Sequence, residues 1–97
     1  MEKIMKLAAL MREADKLANE IIEEGSKNDT DFRVLNVKII NGEMQIHVYH
    51  NLKAFAEKLG VDVVRADRES DKFPYEDSVN IDGVKIYEIL TDEEATA

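Results

Sequence analysis

Residues 32–50, FRVLNVKIINGEMQIHVYH, decide the fold. At their centre Asn41-Gly42 joins two runs in which apolar and polar residues alternate. A type I′ turn needs positive φ at both central positions, and Asn followed by Gly is the pair that reaches it most readily. A two-residue turn also sets the register. Ile40 should oppose Glu43, Ile39 Met44, Lys38 Gln45, Val37 Ile46, Asn36 His47, Leu35 Val48 and Val34 Tyr49. Because side chains alternate between faces along a strand, Leu35, Val37, Ile39, Met44, Ile46 and Val48 form the expected core face. Asn36, Lys38, Gln45 and His47 form the face turned to water.

The same alternation separates the two histidines of the chain. His47 and His50 lie three positions apart on an extended segment, so they point to opposite faces and cannot share an ion. His50 falls at a strand-to-helix junction on the core side. Asn51 reads as the N-cap of a short helix, with Leu52, Phe55, Ala56 and Leu59 inward and Lys53, Glu57 and Lys58 outward. Gly60 should end that helix, and Val61 is the apolar residue that often closes a Schellman motif.

Upstream, residues 2–24 read as one helix. Ile4, Leu7, Ala8, Met11, Ala14, Leu17, Ala18, Ile21 and Ile22 follow three-and-four spacing, and Gly25 is a natural stop before the polar turn SKNDT. Glu20, Glu23 and Glu24 crowd the end where the helix dipole favours cations. The apolar stripe is wide, flanked by Met5 and Leu10. It can meet the core, a partner groove or a second copy of itself. Downstream, VDVVRA reads as a short strand, and VNIDGVKIYEIL repeats the hairpin pattern around Asp82-Gly83, with Ile81 opposite Val84 and Val79 opposite Ile86. The order makes one α+β domain over 1–97: N-terminal helix, β-hairpin, short helix and a further hairpin. The sheet is mainly antiparallel with helices on one face, and 91–97 is a frayed acidic tail.

The 97 residues include no cysteine, which excludes structural disulfides and thiolate zinc sites. The N-terminal segment carries charge at every turn and reads as neither signal peptide nor membrane span. The expectation is a soluble protein of the cytoplasm. Net charge is −8. Acids and bases number seven and five in 1–30, three and four in 31–60, and eleven and four in 61–97. An anionic last third repels nucleic acid and steers toward basic partners, although such runs also serve simply as solvated surface.

Catalytic chemistry finds little footing. Ser26, Ser70 and Ser78 lack a glycine-framed elbow, and the isolated glycines make no phosphate-binding loop. Asp67, Glu69 and Asp71 alternate as calcium ligands do, but Lys72 and Ser78 stand where an EF-hand has its glycine and bidentate Glu. No enzyme activity, metal or cofactor is expected. What remains is recognition. The segment DRESDKFPYED combines Phe73 and Tyr75 with a proline and a ring of acids, a composition suited to an interface, or to pinning a long loop.

Residues 51–94, with an LG helix end followed by DR, PYE, GVK and an acidic end, resemble small accessory proteins of phages and prophages of Gram-positive bacteria. The resemblance implies a phage-type inhibitor of host defence, similar to anti-CRISPR proteins, working in the host cytoplasm. Such a protein would occupy the basic nucleic-acid groove of a host nuclease. Asp67, Glu69, Asp71, Glu76 and Asp77 would stand in for phosphates, with Tyr75 and Phe73 as anchors. The alternative is a homodimeric structural or assembly protein of phage that uses the apolar face of helix 2–24.

Overall fold

A computed structural model describes residues 1–27 and 32–96. The elements are α1 (Glu2–Lys27), β1 (Arg33–Ile40), β2 (Glu43–Tyr49), α2 (Leu52–Leu59), β3 (Val64–Asp67), β4 (Tyr75–Ile81), β5 (Val84–Leu90) and α3 (Asp92–Thr96). The five strands form one sheet in the order β1-β2-β5-β4-β3. Every pair is antiparallel except the central β2–β5, so the α+β expectation holds with one parallel pairing. That pairing follows from α2 and β3, which carry the chain across before the second hairpin returns to the middle of the sheet. No helix among the described residues is long and apolar enough to cross a membrane.

Both hairpins turn as expected. Asn41 and Gly42 have φ of 50° and 81°, and Asp82 and Gly83 have 52° and 82°. The Asn80 side chain reinforces the second turn by accepting the Gly83 N–H at 3.2 Å. In the first hairpin the register from Ile40↔Glu43 to Asn36↔His47 is the expected one. Beyond it Leu35 bulges out, so Val34 rather than Leu35 opposes Val48, and Arg33 opposes Tyr49. A bulge adds one residue to one strand and reverses the facing of everything after it. Val34 therefore packs against the core, while Leu35 is 54% exposed.

Core burial is concentrated on one face of the sheet. Val48, Val79, Leu52 and Ala56 are its fully buried members, with Phe32, Val34, Ile46, Phe55, Val61, Val63, Ile81 and Ile86 around them. Phe32 stacks on Phe55 with ring centroids 5.5 Å apart. α2 ends as its sequence foretells. Gly60 adopts φ 69° and donates to the Glu57 carbonyl, and the Val61 N–H reaches the Ala56 carbonyl at 3.0 Å, the Schellman pair.

Three expectations change. α1 continues through Gly25 to Lys27, because glycine permits a helix stop without compelling one, at a cost of about 1 kcal/mol in a helix interior. The part of the polar turn 26–30 beyond Lys27 lies outside the described residues. The acidic tail is not frayed over its length. Residues 92–96 form α3, begun by a capping box in which Thr91 Oγ1 accepts the Glu94 N–H and Glu94 Oε1 accepts the Thr91 N–H. Finally, the α1 stripe and the outer sheet are poorly covered. Ile4, Met5, Leu10 and Met11 are about two-thirds exposed, as is Ile39, and Val37 and Met44 are near half.

Leu52 is fully buried at the centre of this core. Leu52→Ala should lower the unfolding free energy by about 2–5 kcal/mol in chemical denaturation. Leu59→Ala, on the same helix but 52% exposed, should cost only about 1 kcal/mol.

Candidate interaction surfaces

Strand parity decides where the acids of the last third go. Asp77 and Glu76 are neighbours on β4, so they occupy opposite faces of the sheet. Asp77 lies on the α2 face, 4% exposed, and is held by Arg65 in a two-pronged contact. Arg65 Nε donates to Asp77 Oδ1 at 2.7 Å and a terminal nitrogen to Oδ2 at 3.0 Å. The bond to Asp77 is also what raises the Arg65 pKa. Glu76, on the other face, pairs with Lys85 at 2.9 Å. Neither carboxylate is free to imitate a phosphate. The five acids singled out from sequence do not make one patch.

Asp67, Glu69 and Asp71 do remain exposed. β3 ends at Asp67, β4 starts at Tyr75 and β5 ends at Leu90, and the registers Asp67↔Tyr75 and Tyr75↔Leu90 align these three ends. The loop 68–74 and α3 therefore leave the sheet from the same end. Arg65 ties them further by donating to the Ala95 carbonyl at 2.9 Å. The exposed acids Asp92 and Glu93 of α3 thus join Asp67, Glu69 and Asp71 at one end of the molecule. The loop itself is closed by Arg68, whose backbone N–H meets the Pro74 carbonyl at 2.7 Å and whose side chain meets the Phe73 carbonyl at 3.0 Å. Ser70 Oγ accepts the Phe73 N–H at 3.1 Å. Phe73 and Tyr75 are both half-buried, and Tyr75 lies under the Arg65 guanidinium, 5.7 Å from ring centroid to Cζ. Both aromatics thus pin the loop while keeping an exposed edge.

The opposite face carries a different cluster. His47 stacks on Tyr87 with centroids 4.7 Å apart and planes nearly parallel, and Lys38 and Lys85 each sit 5.5 Å above the Tyr87 ring. Burial first, then the charges of Lys38 and Arg68, lower the His47 pKa. His50 lies apart from it, exposed and tilted against Tyr49. The core-side position expected for His50 is not observed, because φ of 70° turns the chain out of the strand direction. The separation of the two histidines stands. Among the described residues no group of three His, Cys, Asp or Glu is placed to hold a metal.

The polar group that sequence reasoning missed is Glu88, 6% exposed on the α2 face. Asn51 does not cap α2 with its side chain. Asn51 and His50 both adopt left-handed φ, and no side-chain cap bond forms. The buried Glu88 carboxylate of β5 stands beside this helix start, under the influence of the His50 and Leu52 backbone N–H groups. Burial raises the Glu88 pKa, the two backbone groups oppose that rise, and Asp77 and Glu94 reinforce it. A signal existed. In VKIYEIL, Glu88 shares the parity of Val84, Ile86 and Leu90, so an acid stands at a core position; extending the Asp82-Gly83 register also places Asp77 opposite it.

A carboxylate with a raised folded-state pKa binds its proton more tightly in the fold than in the unfolded chain. Its contribution to stability is therefore greatest at low pH and declines as pH rises from the ordinary carboxylate range through the raised value. The stability of the parent protein relative to Glu88→Gln should fall as pH rises above the ordinary Glu range of about 4.3, measured by urea midpoints at each pH. A pH-independent difference would contradict the burial assigned to this group. No protein-family model, curated protein or solved structure matches the chain significantly.

Proposed function

We propose that this chain is a non-enzymatic acidic binding protein whose contact surface is the end of the sheet from which loop 68–74 and α3 emerge. One observation carries the reading. Three strand ends coincide, and two acid runs far apart in sequence, 67–71 and 92–93, are gathered there, and among the described residues no Lys or Arg forms an ion pair with their exposed members. Asp67, Glu69 and Asp71 provide negative charge, Phe73 and Tyr75 provide aromatic edges, and Arg65 of β3 joins Tyr75 at the start of β4 to α3. The membership differs from that read in sequence, with Asp92 and Glu93 replacing Glu76 and Asp77.

A surface of this sign suits a basic protein. The likeness of residues 51–94 to phage accessory proteins supports a host nucleic-acid-binding protein as that partner, a defence nuclease such as a CRISPR effector among them, with the carboxylates taking the place of backbone phosphates. Rim charges act mainly by speeding encounter, and their effect fades as the Debye length contracts.

The test is capture of basic proteins from a bacterial lysate on the immobilised chain, with an Asp67→Lys/Glu69→Lys/Asp71→Lys variant as control. Captured proteins should elute between about 0.05 and 0.5 M salt, be displaced by duplex DNA, and be lost from the variant. Capture that ignores both salt and the charge reversal would overturn the reading.

A further inference from the structure

The chain exposes more surface than its mass accounts for. A folded monomer of 11.1 kDa exposes about 5,700 Å². This one exposes 7626 Å², an excess of about 2,000 Å². Its radius of gyration is 14.8 Å, against about 12.5 Å for a compact chain of this length. The cause is α1, about 39 Å long, which meets the rest of the chain mainly at β1. Ala8, Ala14, Ala18, Ile21 and Ile22 are half-buried, while Ile4, Met5, Leu7, Leu10, Met11 and Leu17 are exposed. If each of two copies hid this excess against the other, the interface would total about 4,000 Å², within the range of obligate homodimers.

The stripe has the repeat of a self-pairing helix. Ile4, Leu7, Met11, Ala14, Ala18 and Ile21 alternate three- and four-residue steps, the heptad seam of a two-helix coiled coil. Orientation follows from size and charge. With two copies antiparallel, Ile4 meets Ile21 of the partner subunit, Leu7 meets the partner's Ala18, and Met11 meets the partner's Ala14. In the two inner pairs large side chains thus face small ones. The flanking positions Lys3, Leu10, Leu17 and Glu24 then pair as Lys3 with the partner's Glu24 and Leu10 with the partner's Leu17. A parallel pair would set Leu10 beside Asp15. The antiparallel pair also brings Glu24 beside the positive N-terminal end of the other helix, which offsets its unfavourable placement in its own.

We infer that α1 is a homodimerisation helix, pairing antiparallel with α1 of a second copy about a twofold axis, with Leu7 against Ala18 and Met11 against Ala14. This surface is independent of the acidic end.

The full chain in sedimentation should run at twice 11.1 kDa across the micromolar range. Leu7→Glu/Met11→Glu, both at exposed positions, should weaken association by about a hundredfold or more. A parent protein that stays monomeric, or a double variant that stays dimeric, overturns the inference. Register is read without destabilising the fold, because the chain has no cysteine of its own. Mixed Leu7→Cys and Ala18→Cys chains should form the crossed disulfide in preference to either self-disulfide. Preferential Leu7→Cys self-disulfide would signify a parallel pair and overturn the assignment. Lys3→Glu and Glu24→Lys should each weaken the dimer and together restore it, whereas a double variant as weak as the singles counts against the register.

Discussion

The reversal of the chain between β2 and α2 organises the molecule. β2 leaves the sheet at Tyr49, and the chain must reverse within two residues to lay a helix back over the strands it has just left. His50 and Asn51 make that reversal in the left-handed region, a conformation costing non-glycine residues of order 1 kcal/mol each. The buried Glu88 of β5 lies beside them, its pKa raised by burial and held back by the His50 and Leu52 backbone groups. Leu52 then enters the core at zero exposure, Ala56 follows one turn later, and the parallel β2–β5 pair gains its cover. The same face carries two buried acids, Glu88, whose burial favours its protonated form, and Asp77, which is paired with Arg65.

The pattern of legibility follows from range. Asn41-Gly42, Asp82-Gly83 and Gly60-Val61 act through their own φ angles and immediate neighbours, and each is realised as read. Alternation placed most side chains on the right face but could not foresee the Leu35 bulge, which depends on how Phe32 and Val34 settle against α2. It also could not say that the face bearing Val37, Ile39 and Met44 would lack cover, since that depends on where α1 lands. Asn51 does not serve as the cap its place in the sequence suggests, because its backbone adopts the left-handed region and its side chain makes no cap bond, an outcome set by the turn and not by residue type.

The acidic surface shows the same division between local and distant. Composition located the surplus charge in the last third, yet composition carries no parity. Glu76 and Asp77 were lost to Lys85 and Arg65 on opposite faces, and Asp92 and Glu93 were recruited by the Thr91–Glu94 capping box that turns a tail into a helix. Strand order then separates the two surfaces, since β1 with its neighbour α1 forms one side of the sheet and β3 with Arg65 the other. A twofold assembly through α1 would carry two acidic ends, and a partner with paired basic sites would be held by avidity rather than by a single strong contact.

The irregularity at Leu35 bears on solubility. β1 is an edge strand of eight residues with apolar side chains open to water, a template on which further chains could add strand by strand into fibrils. The unpaired extra residue breaks the even comb of amide and carbonyl groups along that rim and increases its local twist. An incoming strand would lose its hydrogen-bond match midway. Restoring a regular ladder by deleting Leu35 would remove a built-in guard against amyloid-like growth.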